Sequence, residues 1–180
     1  NSESGAKLAE EVMRFISERA DAASERLAHE RGSFPNWDKS VYAASGRKMR
    51  NATRTTIAPT GTISMIAGAS SGIEPIFALA YTRNVMDGHK LVEVNPVLKE
   101  LLAERDLDRA DILERIAATG TVHGIADIPA DLADVLVTAH EISPEWHVRI
   151  QAAFQRYTDN AVSKTVNFAE SATEADIDQV

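Results

Sequence analysis

The longest regular pattern in the sequence is a run of apolar residues spaced three and four positions apart between about residues 5 and 31. Its members are Leu8, Val12, Phe15, Ile16, Ala20, Ala23 and Leu27. This spacing predicts one face of a long amphipathic helix, with Glu, Arg and Lys on the other face. Gly32 is placed to end that helix, and Pro35 prevents it from resuming. We expect Phe34 and Trp37 to anchor the following loop onto the core.

The strands that are predicted beyond this helix are all short. Residues 52–58 are rich in β-branched side chains and predict a strand that ends at Pro59. A second strand is predicted over residues 76–85 and is followed by a turn at Asp87-Gly88. A third is predicted over residues 163–168. Three short strands among at least five helices do not make a comfortable closed sheet. The sequence therefore predicts part of a larger α/β assembly.

The remaining helices are predicted mainly from their end signals. One begins after the cap Asn95 with Pro96 in its first position, and another stops at Gly120. Others are predicted from Pro129 to about Ala139, from Pro144 to about Asn160, and after the cap Thr173, with a short one following Gly61. Asn1 is not an initiator methionine, and the last helix has barely begun where the sequence stops. We expect the chain to be a piece of a longer polypeptide.

The composition excludes several classes of protein. At 44% hydrophobic and 26% charged residues, the chain is expected to be globular. A net charge of −8 argues against nonspecific binding to nucleic acid. No apolar run approaches the roughly 20 residues of a membrane helix, and no signal peptide opens the chain, so a cytoplasmic protein is expected. The absence of cysteine removes thiolate metal sites and any cysteine nucleophile from these 180 residues.

Residues 56–64 read Thr-Ile-Ala-Pro-Thr-Gly-Thr-Ile-Ser and admit two interpretations. A Pro-Thr-Gly-Thr turn into a helix would aim unpaired N–H groups at one point, where the helix dipole favours an anion. Gly61 would allow close approach, and Thr60, Thr62 and Ser64 would add hydroxyl donors. Alternatively, Thr60 or Thr62 caps the helix. Because every helix has an N-cap and few bind anions, the residues alone favour the cap. No Gly-Lys-Ser/Thr follows, so this is not a Walker loop.

A basic segment precedes this stretch. Arg47, Lys48, Arg50 and Arg54 lie within eight residues, and Arg83 on the second predicted strand is able to join them. Such a run is usually a solvated surface, but it would also supply positive potential beside a polyanion site. The spacing does not decide between the two.

The other polar candidates favour structural roles. Glu74 lies between Ile73 and Pro75, where a carboxylate is expected to have a hydrogen-bonding or charged partner. The five histidines (His29, His89, His123, His140 and His147) are far apart and form no HExxH pair, so a metal site is weakly supported. A polar patch at a helix-to-strand junction contains Asp159, Asn160, Ser163, Lys164 and Thr165. No Ser-His-Asp or paired-carboxylate arrangement is defensible.

The amino-acid sequence around residues 56–64 resembles that of a known protein family. "RNATRTTIAPTGTISMIAGASSGIEPIFALAYTRNV" is similar to the substrate-phosphate segment of ribonucleotide reductases, in particular the adenosylcobalamin-dependent (class II) enzymes. "GAKLAEEVMRFISERADAASERLAHERGSFPNWDKS" resembles the family's preceding helix, and "EISPEWHVRIQAAFQRYTDNAVSKTVNF" resembles its late helix and last barrel strand. The resemblance covers nearly the whole chain.

This resemblance implies a fold and a site. The family's catalytic domain is a ten-stranded α/β barrel built from two five-stranded halves, and this chain would be part of the second half. A thiyl radical, generated by adenosylcobalamin in class II, starts replacement of the ribose 2′-OH by hydrogen. Thr60, Gly61, Thr62, Ile63 and Ser64 would bind the phosphates of the ribonucleotide substrate. The remainder of the reductase chain would be the partner, and exposed strand edges favour self-association into a homo-oligomer.

One departure from the family limits the expected activity. The family's radical and redox cysteines, and its Asn-x-Cys-x-Glu loop, have no counterpart here, so we expect this piece to be inactive alone. The whole chain is expected to be one barrel fragment: a helix and loop over 1–50, a strand, phosphate loop and strand over 51–90, helices over 91–160, and a strand and tail over 161–180. The alternatives are a stand-alone, non-catalytic nucleotide-binding or regulatory module and a helical scaffold in which Pro-Thr-Gly-Thr only caps a helix.

Overall fold

The computed structural model describes residues 1–84, 90–168, 170–178 and 180, so the predicted turn Asp87-Gly88 and His89 lie outside the described residues. In chain order the helices and strands are α1 Glu3–Arg31, a 3₁₀ helix Trp37–Lys39, α2 Val41–Ala44, α3 Gly61–Ala67, β1 Ala80–Asn84, β2 Lys90–Val94, α4 Pro96–Ala103, α5 Ala110–Thr119, α6 Ala130–Ala133, α7 Pro144–Gln155 and α8 Glu174–Asp178. They form two compact units. The first contains Asn1–Ile73, Pro144–Val166 and Ala172–Val180, and the second contains Glu74–Ser143 and Asn167–Ser171.

Helix α1 confirms the long predicted helix of the first unit. The Ser2 side chain caps its start by accepting a hydrogen bond from the Gly5 N–H, and Gly32, with φ of 80°, ends it. After the helix, the indole N–H of Trp37 donates to the Arg47 carbonyl at 2.8 Å, while Phe34 packs edge-on against Tyr42. Phe34 and Trp37 are both half-buried, and the expectation that they anchor the loop onto the core stays a prediction.

The face that α1 buries differs from its predicted apolar face. Its buried residues are Ala9, Met13, Ser24 and Ala28, and the helix packs against α7. Leu8, Val12, Phe15 and Ile16, by contrast, are 44–61% exposed. The buried face carries alanine and serine, which let a second helix approach closely, whereas the exposed stripe carries the larger apolar side chains.

The strands predicted over 52–58 and 163–168 are wrong. Ile57 of the first segment forms one isolated parallel bridge, and its partner Val162 lies just before the second segment. On one side the pairing stops because the Asp159 carboxylate takes the backbone N–H of Arg54, at 2.7 Å, and that of the next residue. On the other side a parallel ladder would next use the N–H of residue 59, and Pro59 has none. Local side-chain chemistry therefore interrupts a β-rich sequence.

In the second unit, β1 and β2 form an antiparallel pair that runs from Ala80 opposite Val94 to Asn84 opposite Lys90. Strand β1 begins four residues later than predicted, because beyond Val94 its partner turns into α4 and the Ile76 carbonyl instead accepts from the Ala139 N–H at 2.8 Å. Strand β2 was missed, although Leu-Val-Glu-Val precedes the helix cap.

The apolar core of the second unit lies among α4, α5, α6, β1 and the adjoining loops. Its members are Leu79, Ala80, Leu98, Leu102, Ile112, Ile116, Val122, Ile125, Ile128, Leu132 and Leu136. The predicted end signals are confirmed here, since Asn95 caps α4 through a bond from the Val97 N–H and Gly120 ends α5 with φ of 77°. Helix α5 contacts both strands.

Two predicted helices are shorter in the structure. Helix α6 ends at Ala133 instead of about Ala139, because the Thr138 N–H donates to the Glu141 carboxylate and the Ala139 N–H to Ile76 rather than to helical carbonyls. Helix α7 ends at Gln155 instead of about Asn160. Shortly after this point the backbone N–H groups donate to carbonyls three residues back instead of four. The Gln155 side chain donates a hydrogen bond to the Asn160 carbonyl at 2.7 Å.

Candidate functional site

The predicted phosphate loop is a sharp turn into α3. Thr60 occupies the N-cap position in a left-handed conformation, with φ of 47° and ψ of 23°. Its hydroxyl makes no capping bond to α3 and instead accepts from the Gly72 N–H at 3.1 Å. The position of Thr60 is that of a cap, but its side chain does not perform a cap's function.

Donors without a helical partner follow Thr60. Gly61, Thr62 and Ile63 are the first three residues of α3, whose N–H groups have no carbonyl to bond within the helix. All three residues are exposed, and the space where a Cβ would lie on Gly61 is open. Ser64 is the first residue of α3 whose N–H donates a helical hydrogen bond, to the Thr60 carbonyl at 2.9 Å. The turn therefore presents adjacent N–H groups at the surface.

The hydroxyls of the loop do not all point to solvent. Ser64 is buried, and its hydroxyl donates to the Gly61 carbonyl at 2.8 Å and lies 2.7 Å from the Ser71 hydroxyl. Thr62, by contrast, is exposed. The five predicted residues are thus adjacent, as expected for consecutive positions, but they differ in which groups are accessible.

The basic segment is engaged mainly in structural contacts. Arg47 pairs with Asp21 at 2.9 Å and with Glu25, both on α1. The Arg50 side chain donates to the carbonyls that end α1. Lys48 is exposed. For the two arginines, these contacts favour the structural interpretation over a polyanion site.

Arg54 is the most buried member of that segment, with a side chain 8% exposed. Its guanidinium lies 2.6 Å from Asp21 and 2.7 Å from Asp159, and it donates to the Tyr42 hydroxyl at 2.7 Å. Burial alone would lower the pKa of Arg54, but the hydrogen bond with Tyr42 and the two carboxylates raise it overall. This residue ties α1 and the 159 turn to the segment that leads into the loop. Arg83 lies on β1.

The other candidate residues from the sequence are described by their burial and contacts. Glu74 is half-buried, and the prediction that it has a specific partner stays a prediction. His147 is buried on α7, with its Nδ1 2.7 Å from Lys164 Nζ, which agrees with a packing role. Asn160 of the polar patch donates to the Thr53 hydroxyl at 3.2 Å. His140 is exposed, with its ring 6.2 Å from that of Phe77.

A polar cluster around Glu141 escaped the sequence analysis. The carboxylate accepts from the N–H and hydroxyl of Thr138, at 2.7 and 2.9 Å, and from the Thr121 hydroxyl, and it lies 2.7 Å from His123 Nδ1. Burial alone would raise the pKa of Glu141, but the hydrogen bonds that its carboxylate accepts outweigh burial and lower the pKa overall. The Thr-x-x-Glu spacing of Thr138 and Glu141 is a capping-box signature and was the available signal.

Two features are absent from the residues that the structure describes. None of their helices is both long and apolar enough to cross a membrane. Within the same residues, no group of three or more His, Asp or Glu side chains is arranged to hold a metal ion.

Comparisons with known proteins identify the domain. The family model "Ribonucleotide reductase, barrel domain" matches residues 43–180. The chain is 49% identical over 177 residues to a vitamin B12-dependent ribonucleoside-diphosphate reductase of Thermoplasma acidophilum, and 48% identical over 177 residues to one of Mycobacterium tuberculosis. These alignments cover 98% of this chain but only 23% and 25% of the relatives.

A solved structure agrees. The Actinobacillus ureae class Id ribonucleotide reductase alpha subunit matches with a TM-score of 0.80 and 26% identity, over 99% of this chain and 31% of that chain. The chain is therefore part of an α/β barrel domain. It belongs to the ribonucleotide reductase family, and it spans about a quarter of the length of the curated relatives it matches. The predicted family and fold class are confirmed. The phosphate-binding role of Thr60–Ser64 stays a prediction.

Proposed function

We propose that this chain supplies the substrate-phosphate loop of an adenosylcobalamin-dependent ribonucleotide reductase, which converts ribonucleotides to 2′-deoxyribonucleotides. The observation that carries the proposal is the exposed turn at Thr60, which presents the N–H groups of Gly61, Thr62 and Ile63 without helical partners. Two relatives are named ribonucleoside-diphosphate reductases, which supports a diphosphate as the substrate.

The chemistry of the turn suits a phosphate. Adjacent backbone N–H groups at a helix start donate to anionic oxygens, and the helix dipole adds positive potential. The open space at Gly61 lets a phosphate approach the backbone, and the exposed Thr62 adds a hydroxyl donor. Ile63 and Ser64 complete the proposed loop, the first through its N–H and the second through its bonds to Gly61 and Ser71. A net charge of −8 leaves this role to local donors rather than to the overall field.

The radical chemistry belongs to other parts of the proposed reductase. Adenosylcobalamin would supply the radical in the proposed reductase, and the cysteines that the resemblance implies for this chemistry have no counterpart in this chain, which contains no cysteine. Its residues therefore do not fit the thiyl and redox functions, and the proposed contribution is limited to holding the substrate's phosphates. We expect no deoxyribonucleotide from the 180-residue chain mixed with adenosylcobalamin and a ribonucleotide. Measurable turnover would contradict this expectation.

The proposal also places the chain in an assembly. Both compact units are taken as parts of one barrel domain, because the family match at residues 43–180 extends through both. The partners are the remainder of the reductase polypeptide and the ribonucleotide, with the cytoplasm as the proposed location. A homo-oligomer is proposed from exposed strand edges. No nucleic-acid or membrane partner is proposed.

Gly61→Asp tests the loop in the full-length polypeptide that contains this chain. A Cβ added at Gly61 meets no atom within 4 Å, and an acidic residue suits the first turn of a helix, so the fold should be kept. Its charge would repel the substrate's phosphates. We expect KM for a ribonucleoside diphosphate to rise at least about tenfold, whereas the matched neutral variant Gly61→Asn should change it much less. An unchanged KM in Gly61→Asp would overturn the proposed function.

A further inference from the structure

We propose that Ser71 and Gly72 are positioning residues, which hold the phosphate loop in its binding conformation without touching the substrate. This inference rests on the proposed function. It assigns the hydroxyls of Thr60 and Ser64 to the internal support of the loop. It leaves the N–H groups of α3's first turn and the hydroxyl of Thr62 for the phosphate.

The first support is at Thr60. A non-glycine residue in the left-handed region is strained and persists only where its surroundings hold it. Thr60 has φ of 47°, and its hydroxyl accepts from the Gly72 N–H at 3.1 Å. The conformation of Thr60 directs the chain from Pro59 into α3, so the bond from Gly72 fixes the direction of the donors that follow.

The second support is close backbone packing at Gly72. A Cβ on this residue would lie 3.2 Å from the Ala58 carbonyl oxygen and 3.3 Å from Ile57 Cγ2. Gly72 also has φ of 51°, which favours glycine. The absence of a side chain therefore lets residues 71–72 lie directly against the backbone that leads into the loop, two residues before Thr60.

The third support is a pair of hydroxyls. Ser64 is 7% exposed, and its hydroxyl proton is donated to the Gly61 carbonyl. A hydroxyl has one proton to donate, so at the 2.7 Å contact with Ser71 it is Ser71 that donates and Ser64 that accepts. The Ser64 hydroxyl thus has no proton left for a phosphate oxygen. It links Ser71 to the carbonyl of Gly61 instead.

A matched pair of glycines tests the support at Gly72. Gly72→Ala and Gly68→Ala, made in the full-length polypeptide, both place alanine at a left-handed position, with φ of 51° and 62°. Both changes therefore have a similar backbone cost, but a Cβ at Gly68 meets nothing within 4 Å. We expect Gly72→Ala to raise KM for a ribonucleoside diphosphate roughly three- to tenfold relative to Gly68→Ala at similar kcat. Equal KM values in the two variants would overturn the inference.

Ser71 gives a second test that does not depend on backbone strain. Ser71→Ala removes the donor to Ser64, and we expect KM to rise roughly two- to fivefold with an unchanged thermal midpoint. Ser71→Thr keeps the hydroxyl and should restore KM to near its original value. A purely structural role would lower the thermal midpoint and leave KM unchanged, which contradicts the inference. If Gly72→Ala does not fold, the Ser71 pair decides.

The two proposals fail in distinguishable ways. If Gly61→Asp raises KM while Gly72→Ala behaves as Gly68→Ala and Ser71→Ala behaves as the original protein, the loop binds phosphate and the positioning role is wrong. If Gly61→Asp leaves KM unchanged, the proposed function is itself wrong. An increase in all three test variants, with Gly68→Ala and Ser71→Thr near the original value, supports both proposals.

Discussion

Helices α1 and α5 share an amphipathic sequence pattern but differ in the face that each buries. In the second unit, α5 directs Ile112 and Ile116 into the core, where both are 0% exposed. In the first unit, α1 packs against α7, buries Ala9 and Met13, and leaves the larger side chains of its stripe, such as Leu8, exposed. Apolar periodicity therefore predicts that a helix forms, but an apolar stripe is buried only where another element covers it.

The two units also differ in how their segments are joined. The second unit has a continuous cluster of buried aliphatic side chains. In the first unit, a central junction is ionic, because Arg54, 8% exposed, contacts Asp21, Asp159 and Tyr42 from three other segments. A buried ionic junction is sensitive to loss of one partner, whereas an aliphatic cluster is sensitive to loss of volume.

The largest expected effect is in the aliphatic cluster. Ile116→Ala should lower the free energy of unfolding of the second unit by roughly 3–5 kcal/mol, because it removes buried methyl groups and leaves a cavity. Urea unfolding followed by circular dichroism would measure it. Val135→Ala in the same unit is the control, since Val135 is 69% exposed and should change stability by less than about 0.5 kcal/mol. Equal losses in the two variants would mean that this core is not the one formed in solution.

The ionic junction should respond less, though clearly. Asp159→Ala removes the carboxylate that binds the Arg54 guanidinium and two backbone N–H groups. We expect a loss of roughly 1–3 kcal/mol, below the value for a fully buried pair because Asp159 is partly exposed. Glu18→Ala removes the exposed pair with Arg14 and should cost less than about 0.5 kcal/mol. A similar, small cost for both would show that the Arg54 junction contributes no more than a surface ion pair.

The Glu141 cluster should make stability depend on acid pH. Its hydrogen bonds favour the ionised carboxylate and lower the pKa below the ordinary value of 4.5. A lowered folded-state pKa stabilises the fold above pH 4.5, and this contribution is lost as the pH falls through the lowered pKa. At neutral pH we expect Glu141→Gln to cost about 1 kcal/mol, with the difference from the original chain shrinking on acidification. Urea titrations at neutral and at acid pH measure this difference, with Glu114→Gln as an exposed control. A difference that grows in acid would contradict the assignment.

Local signals were the predictable part of this fold and of the loop. The caps at Asn95 and Gly120 were confirmed because each depends on a few neighbouring residues. The strands over 52–58 and 163–168 were wrong because a strand needs a partner, and Asp159 and Pro59 interrupt the pairing. The length of a helix was equally hard to predict where a distant group, such as the Ile76 carbonyl, competes for its N–H donors.

The loop shows the same limit. Its five residues are consecutive, so their proximity was certain from the sequence, but the separate roles of their hydroxyls were not. Ser64 differs from Thr62 in part because Ser71, six intervening residues later, contacts its hydroxyl. Neither residue type nor spacing indicated that contact, and the Thr60 bond to Gly72 spans a still longer stretch.

The smallest expected effect tests the exposed stripe of α1. Leu8→Gln should change the free energy of unfolding by less than about 0.5 kcal/mol, because Leu8 is 61% exposed and glutamine is a good helix former. Its neighbour Ala9 is 9% exposed, and Ala9→Gln should cost roughly 1–3 kcal/mol by overfilling the buried face. Thermal unfolding at several protein concentrations would measure both. If Leu8→Gln is the more damaging change, and its cost increases with protein concentration, the stripe is covered by a second copy of the chain. A cost that is large at every concentration would instead mean that α1 buries its apolar stripe within the monomer.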